Sequence, residues 1–183
     1  LHHYNSYAHG VLSPAQFESG VKRLYESRYL PKDLFTREGV HLIRSAIGTG
    51  KTEVVQQFVK ANPKASILFT THLISLVESA AQRLGLTSYN RCDNFDLQME
   101  SRLAICLNSL GKLTAEGSLR DYDVVIIDEI EQVLARLTTH IEQKPLVFAV
   151  LQYVMSNAKT LIALDAHLSQ ATVQMIKRFC PFK

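Results

Sequence analysis

The sequence predicts an α/β fold: a parallel sheet covered on both faces by helices. Three observations carry that expectation. Short apolar runs alternate with stretches of helical periodicity, which suits strands joined by helical crossovers. The runs are near-continuously apolar, with no polar residue at every second position, as strands buried on both faces require. Carboxylates, hydroxyls and a Gly-rich turn fall at the ends of these runs, where ligands of such sheets sit.

The elements follow in order. Ser13-Pro14-Ala15-Gln16 has the form of a capping box with Pro at the first helical position. Phe17, Val21, Leu24 and Tyr25 then share a helical face, and Pro31 ends the segment. Residues 1–35 are therefore expected to be a helical extension packed on a core of residues 36–183. Val40-His41-Leu42-Ile43 reads as the first buried strand and Glu53–Lys60 as the body of a helix. Ser66–Thr70 is a second strand. Leu73, Leu76, Val77, Ala80, Ala81 and Leu84 mark the helix after it, stopped by Gly85. Leu103–Leu107 and Asp123–Ile127 are further strands, with Ile130, Val133, Leu134 and Leu137 on a following helix. Pro145 opens a helix, apolar nearly all round and so expected to be well buried, that runs to about Asn157. Thr160–Leu164 is the fifth strand, and Leu168, Ala171, Met175 and Phe179 line the last helix. The mixed segment 89–122 resolves into no clear loops by pattern.

Bulk properties narrow the class. The 183 residues suit one domain with a real core. No apolar run approaches the roughly 18 residues of a membrane span. The start, Leu1-His2-His3-Tyr4, has no basic and apolar leader pattern and no Met, so an excised fragment is expected, and its two histidines could be tag residue. A net charge of +3 permits nucleic-acid binding without demanding it. Cys92, Cys106 and Cys180 form no C-x-x-C pair, which argues against zinc and for reduced thiols in a cytoplasm.

The chemistry concentrates in Ser45-Ala46-Ile47-Gly48-Thr49-Gly50-Lys51-Thr52, followed by Glu53. Strand, Gly-rich turn, Gly-Lys-Thr and helix form a phosphate-binding loop in its proper context. Glycines let backbone N–H groups face an anion, and the helix N-terminus adds its positive dipole end. Lys51 would reach the outer phosphates of a nucleoside triphosphate and the Thr52 hydroxyl would hold Mg²⁺. Val124–Ile127 ends in Asp128-Glu129. Asp128 is then the metal-associated carboxylate, and Glu129 the general base that deprotonates water. Alone, the acid pair could be a helix cap and Lys51 a solvated lysine; their joint occurrence favours the nucleotide site.

Other polar residues stay open. Thr70 and Thr71 at a strand end suit phosphate oxygens, or are β-formers beside a helix cap. Asn108-Ser109 could be a turn. Arg44 could aid an anionic ligand or pair within the fold. Arg23, Arg28, Arg83 and Arg91 read as solvated charges.

The blocks SAIGTGKTE (45–53), FTTHLISLVESAAQRLGL (69–86), LAICLNSL (103–110), VVIIDEIEQVL (124–134) and LIALDAHLS (161–169) resemble, in order, the first motor domain of superfamily 2 helicases. They are most similar to herpesvirus-type origin-binding helicases and replication proteins of plasmids and phages. The loop begins with Ser45 where a Gly is more general, as is common in such helicases. The resemblance implies a RecA-like P-loop NTPase domain that uses ATP and Mg²⁺. It implies contact of Thr70, Thr71 and His72, with Ser75 behind them, with a DNA backbone, and of Asn108 and Ser109 with the same single strand. It also implies coupling of hydrolysis to DNA movement through Asp165-Ala166-His167. Relatives more often carry an acidic or alanine-rich tail after that Asp, so His167 departs from the pattern and reads as a capping or nucleotide-sensing residue. A motor needs a second RecA-like domain, which normally supplies an arginine worth ~10³ or more in rate. The expectation is an ATP hydrolase, weak alone, that acts with replication proteins in the bacterial cytoplasm or at the nucleoid. An ATP-dependent switch without turnover is the alternative. A small-molecule kinase is a third reading, disfavoured because no lid with paired arginines is evident.

Overall fold

The computed structural model describes residues 2–6, 21–25, 29–31, 33–114, 117, 119–139 and 141–180, with backbone alone for 2–6, 21–25, 94 and 95. Its strands are β1 (His2–Ser6), β2 (Val21–Tyr25), β3 (Gly39–Ser45), β4 (Ile67–Thr71), β5 (Thr87–Ser88), β6 (Arg102–Cys106), β7 (Val124–Asp128) and β8 (Thr160–Asp165). They form one sheet in the order β2-β1-β3-β8-β7-β4-β6-β5, and every pairing is parallel. The helices are α1 (Lys51–Ala61), α2 (Ile74–Leu84), α3 (Asn94–Met99), α4 (Ile130–Arg136), α5 (Lys144–Asn157) and α6 (Gln170–Phe179).

β3, β4, β6, β7 and β8 lie where apolar runs predict them. β3 and β8 are buried almost throughout, as are the apolar residues of β4, β6 and β7. α1 and α2 touch each other, while α4, α5 and α6 pack together with a 3-10 segment, Leu107–Thr114. These groups form the two helical layers. Gly85 caps α2 at φ 66°, a left-handed turn that favours residues without a Cβ.

Three expectations change. The helix expected across Ser13–Tyr25 does not hold at Val21–Tyr25, which is strand β2; residues 13–20 lie outside the described residues. Val21 and Tyr25, four positions apart, share a face in a strand as well as in a helix, so a piece this short does not decide between them. His2 and His3 belong to β1, which lies between β2 and β3. The sheet therefore continues across the boundary drawn at residue 35. Helix α5 is not buried all round: Leu146, Phe148 and Tyr153 are more than a third exposed, and its core face is Val147, Val150, Leu151, Val154 and Met155. Segment 89–122 resolves into a 3-10 turn (Tyr89–Arg91), α3, β6 and Leu107–Thr114.

The amino ends of the central strands are tied by satisfied charges. Asp123 accepts hydrogen bonds from Ser66 N and Ser66 Oγ, both at 2.9 Å, and pairs with Lys159 Nζ at 2.8 Å. The Lys159 hydrogen bond and the Ser66 donors lower the Asp123 pKa to about 2. Arg102 donates to the carbonyls of Asn62 and Ala65 at 3.1 Å. Chain direction thus leaves the carboxyl ends open for chemistry.

Candidate functional site

β3 ends at Ser45 and α1 begins at Lys51. The turn between them needs left-handed backbone at Gly48 and Gly50, both at φ 81°. Nothing lies within 4 Å of where a Gly48 Cβ would stand, so the loop is open on that side. Gly50 is the N-cap of α1, and no side chain caps the helix. Its first N–H groups therefore remain available to an anion. The loop is braced from within by Thr49. Its Oγ1 donates to Ala46 O at 2.8 Å and meets Ser45 Oγ in a short hydrogen bond. Ser45 and Thr49 are buried, whereas Ile47 is 92% exposed.

Lys51 Nζ donates to Ser45 O at 2.5 Å and Ala46 O at 3.0 Å, at the mouth of the loop. Burial pulls its pKa down, opposed by the charges of Asp128, Asp165 and Glu129. Lys51 is thus a cation held among acids that terminate two neighbouring strands, β7 and β8.

Asp128 is the last residue of β7, and its Oδ1 accepts the Glu129 N–H at 3.1 Å. Burial, then the Glu129 charge, push its carboxyl up to about 6, against the pull of Lys51. Such a carboxylate gains from a bound cation. Glu129 is the N-cap of α4 at φ 54° and ψ 54°, a left-handed conformation costing a non-Gly residue about 1 kcal/mol. The turn swings the half-exposed Glu129 side chain to within 3.3 Å of His72 Nδ1. That is ion-pair distance without hydrogen-bond alignment.

Asp165, the last residue of β8, fastens the next turn. Its Oδ2 accepts from Glu131 N and its Oδ1 from His167 N, both at 2.9 Å. Glu131 Oε1 in turn accepts from Ser169 N at 2.6 Å. This reciprocal pair ties the start of α4 to the turn before α6. His167 enters through its backbone; its side chain is exposed and does not line the main cavity.

The cavity that joins these groups measures about 970 Å³. It is lined by Gly48, Gly50, Lys51, Thr52 and Glu53, by Asp128 and Glu129, and by Asp165. Its size lies at the upper end of small-molecule sites. The open glycine backbone, uncapped helix and Lys51 suit a triphosphate. Thr52 and the desolvated Asp128 suit Mg²⁺. Among the described residues no cluster of three or more His, Cys, Asp or Glu could hold a metal by itself.

The same wall contains Tyr29, Gln56 and Arg83, which sequence reasoning did not select. Tyr29 is 57% exposed, and its ring lies 3.9 Å from where a Gly50 Cβ would be. Gln56 Nε2 donates to Arg83 O at 2.6 Å, which links α1 to the end of α2. No spacing rule marks these residues, because the fold brings them to the loop from separate elements. Arg83, read as a solvated charge, is at the cavity edge.

The expected strand-contact residues divide. Thr70 and Thr71 are fully buried inside the sheet and leave no surface for a phosphate. Among the described residues their Oγ1 atoms have no hydrogen-bond partner. His72 is largely buried, Ser75 is exposed, and Asn108 is exposed beside the half-buried Ser109 in Leu107–Thr114. Leu73 and Ile74, at the start of α2, are 43% and 55% exposed. Among the described residues no disulfide joins Cys92, Cys106 and Cys180.

Comparison with known proteins extends this geometry. Residues 27–183 match the family model described as origin of replication binding protein. The replication origin-binding protein of Human herpesvirus 6B (strain Z29) is 30% identical over 155 residues, covering 79% of this chain and 19% of that protein. An uncharacterized putative helicase, R8, of Acanthamoeba polyphaga mimivirus is 27% identical, covering 86% of this chain and 16% of that one. The putative replication origin binding protein of Escherichia phage T5 is 26% identical over 81% of this chain and 17% of its own length. The chain thus spans less than a fifth of these relatives. A hypothetical ATP-dependent RNA helicase from Sulfolobus tokodaii superposes with a TM-score of 0.57 at 16% identity, over 78% of this chain and 45% of that one. A DEAD box protein from Methanococcus jannaschii gives 0.54 at 13% identity, over 83% and 46%. These likenesses show a RecA-like fold. On the extent of its match, the chain belongs to the origin of replication binding protein family.

Proposed function

We propose that this chain is the nucleotide-binding first motor domain of a helicase-type NTPase that acts in DNA replication. The observation that carries the reading is the convergence of an open phosphate loop, Lys51, Asp128 and Glu129 on one cavity at the carboxyl ends of adjacent strands. The named functions of relatives, origin binding and helicase, support the setting.

The N–H groups of the loop and of the α1 N-terminus bind and orient a triphosphate, and Lys51 neutralises its outer charge. When bound, Mg²⁺ supplies further charge neutralisation; Thr52 and Asp128 are the residues that would hold it. Glu129 takes the proton of the attacking water. The exposed Tyr29 ring offers a face to the base. Asp165 carries changes at Asp128-Glu129 to α6 through Glu131 and Ser169. Strand contact falls to Ser75 and Asn108, since Thr70 and Thr71 lie inside the sheet. In the longer protein a second RecA-like domain completes the site and couples hydrolysis to movement along single-stranded DNA. Among the described residues no helix is long and apolar enough to cross a membrane.

The test is ATP hydrolysis with and without single-stranded DNA, and duplex separation, in the longer protein and in this chain. The reading expects DNA-stimulated turnover and unwinding in the former, and slow turnover without unwinding in the latter. Efficient unwinding by this chain alone contradicts it. Nucleotide-dependent binding without turnover in the longer protein would make it a switch module.

A further inference from the structure

We infer that His72 is a positioning residue that holds the Glu129 carboxylate in its working orientation. The inference rests on the reading of Glu129 as the base. Glu129 leaves the turn in a left-handed conformation, and its side chain is 48% exposed. A carboxylate on so exposed a side chain explores several rotamers unless something holds it. A base misplaced by about 1 Å can cost on the order of 10² in rate.

His72 is built to supply that hold. Its side chain is only 14% exposed, and its Nδ1 is buried and lies 3.3 Å from Glu129 Oε2. Among the described residues Nδ1 has no aligned hydrogen-bond partner, and the Glu129 carboxylate at 3.3 Å is the polar group recorded beside it. The backbone that carries the ring is fixed on both sides. Thr71 before it pairs with Cys106 in the sheet, and Cys106 Sγ donates to His72 O at 3.6 Å. The ring therefore approaches Glu129 from a rigid strand end, whereas Glu129 sits on a turn. The rigid partner orients the mobile one. His72 also walls a neighbouring groove with Leu73 and Arg136, so the contact lies between that groove and the nucleotide cavity.

Single-turnover hydrolysis of labelled ATP–Mg²⁺, with the 183-residue chain in excess, tests the inference. Nucleotide affinity and thermal melting are measured beside it. His72→Ala should slow hydrolysis at least tenfold while affinity stays within twofold. His72→Asn, whose amide nitrogen can overlay Nδ1, should recover the rate to within threefold of the parent. In a Glu129→Gln background, His72→Ala should cause no further loss. A parental rate in His72→Ala, a loss confined to affinity, or a loss that adds to Glu129→Gln overturns the positioning role. A parent no faster than Lys51→Ala overturns the hydrolase reading and this inference with it.

Discussion

Two aspartates at opposite ends of one strand show how the molecule divides its labour. Asp123 stands just before β7 and Asp128 ends it. The first is held near pKa 2 by Lys159 and Ser66, the second pushed to about 6 by burial and Glu129. Asp123 completes its own hydrogen bonds within the fold, so its charge stabilises the native state. Asp128 lies among Glu129 and Asp165 with one lysine nearby, so its charge costs stability until a cation arrives. The amino end of the sheet satisfies its acid within the fold, while the carboxyl end holds an acid that the fold leaves desolvated among like charges.

That contrast can be broken by exchange of each acid for a neutral residue. The largest effect is expected at Asp128. Asp128→Asn should weaken Mg²⁺-dependent nucleotide binding at least tenfold and yet raise stability by about 1–2 kcal/mol at pH 7, since a desolvated charge is removed. Titration with and without Mg²⁺, beside a denaturant curve, checks both. Loss of stability together with loss of binding would show that Asp128 is a structural acid. Asp123→Ala should do the reverse. It removes two hydrogen bonds from Ser66 and should cost about 1 kcal/mol, a fall of roughly 2–4 °C in Tm. Nucleotide affinity should not change.

A smaller effect sharpens the comparison through pH. The Asp128 pKa is raised on folding, so the native state binds the extra proton and its penalty is relieved as pH falls from about 6 toward the ordinary carboxylate value. Stability should therefore rise modestly over that window, and Asp128→Asn should abolish the rise. The Asp123 pKa is lowered on folding, so its contribution is present above the ordinary value and lost as pH falls toward 2. Denaturant curves from pH 7 to pH 2 separate the two.

The same division explains what was legible in the sequence. The phosphate loop, Asp128-Glu129 and the strands that carry them are local patterns: glycines where backbone must turn, acids at the end of an apolar run. The order of blocks sufficed to place them together. Three things were not local. β1 and β2 are short strands whose pairing, not their periodicity, makes them strands. Thr70 and Thr71 look like surface hydroxyls until the sheet closes over them from β6 and β7. Gln56 and Arg83 meet because α1 and α2 pack together, and Tyr29 reaches the same cavity from the segment before β3. The left-handed turn at Glu129 was also hidden, since glutamate is not a residue that announces a positive φ.

The central claim is that the carboxyl end of this sheet is a triphosphate site organised around Lys51. Calorimetric titration of ATP–Mg²⁺ into the chain, beside Lys51→Ala, tests it most directly. Saturable binding at one site, weakened at least 100-fold by the substitution with the fold intact, is expected. Equal binding by both proteins, or none by the folded parent with or without the second domain supplied, would contradict it.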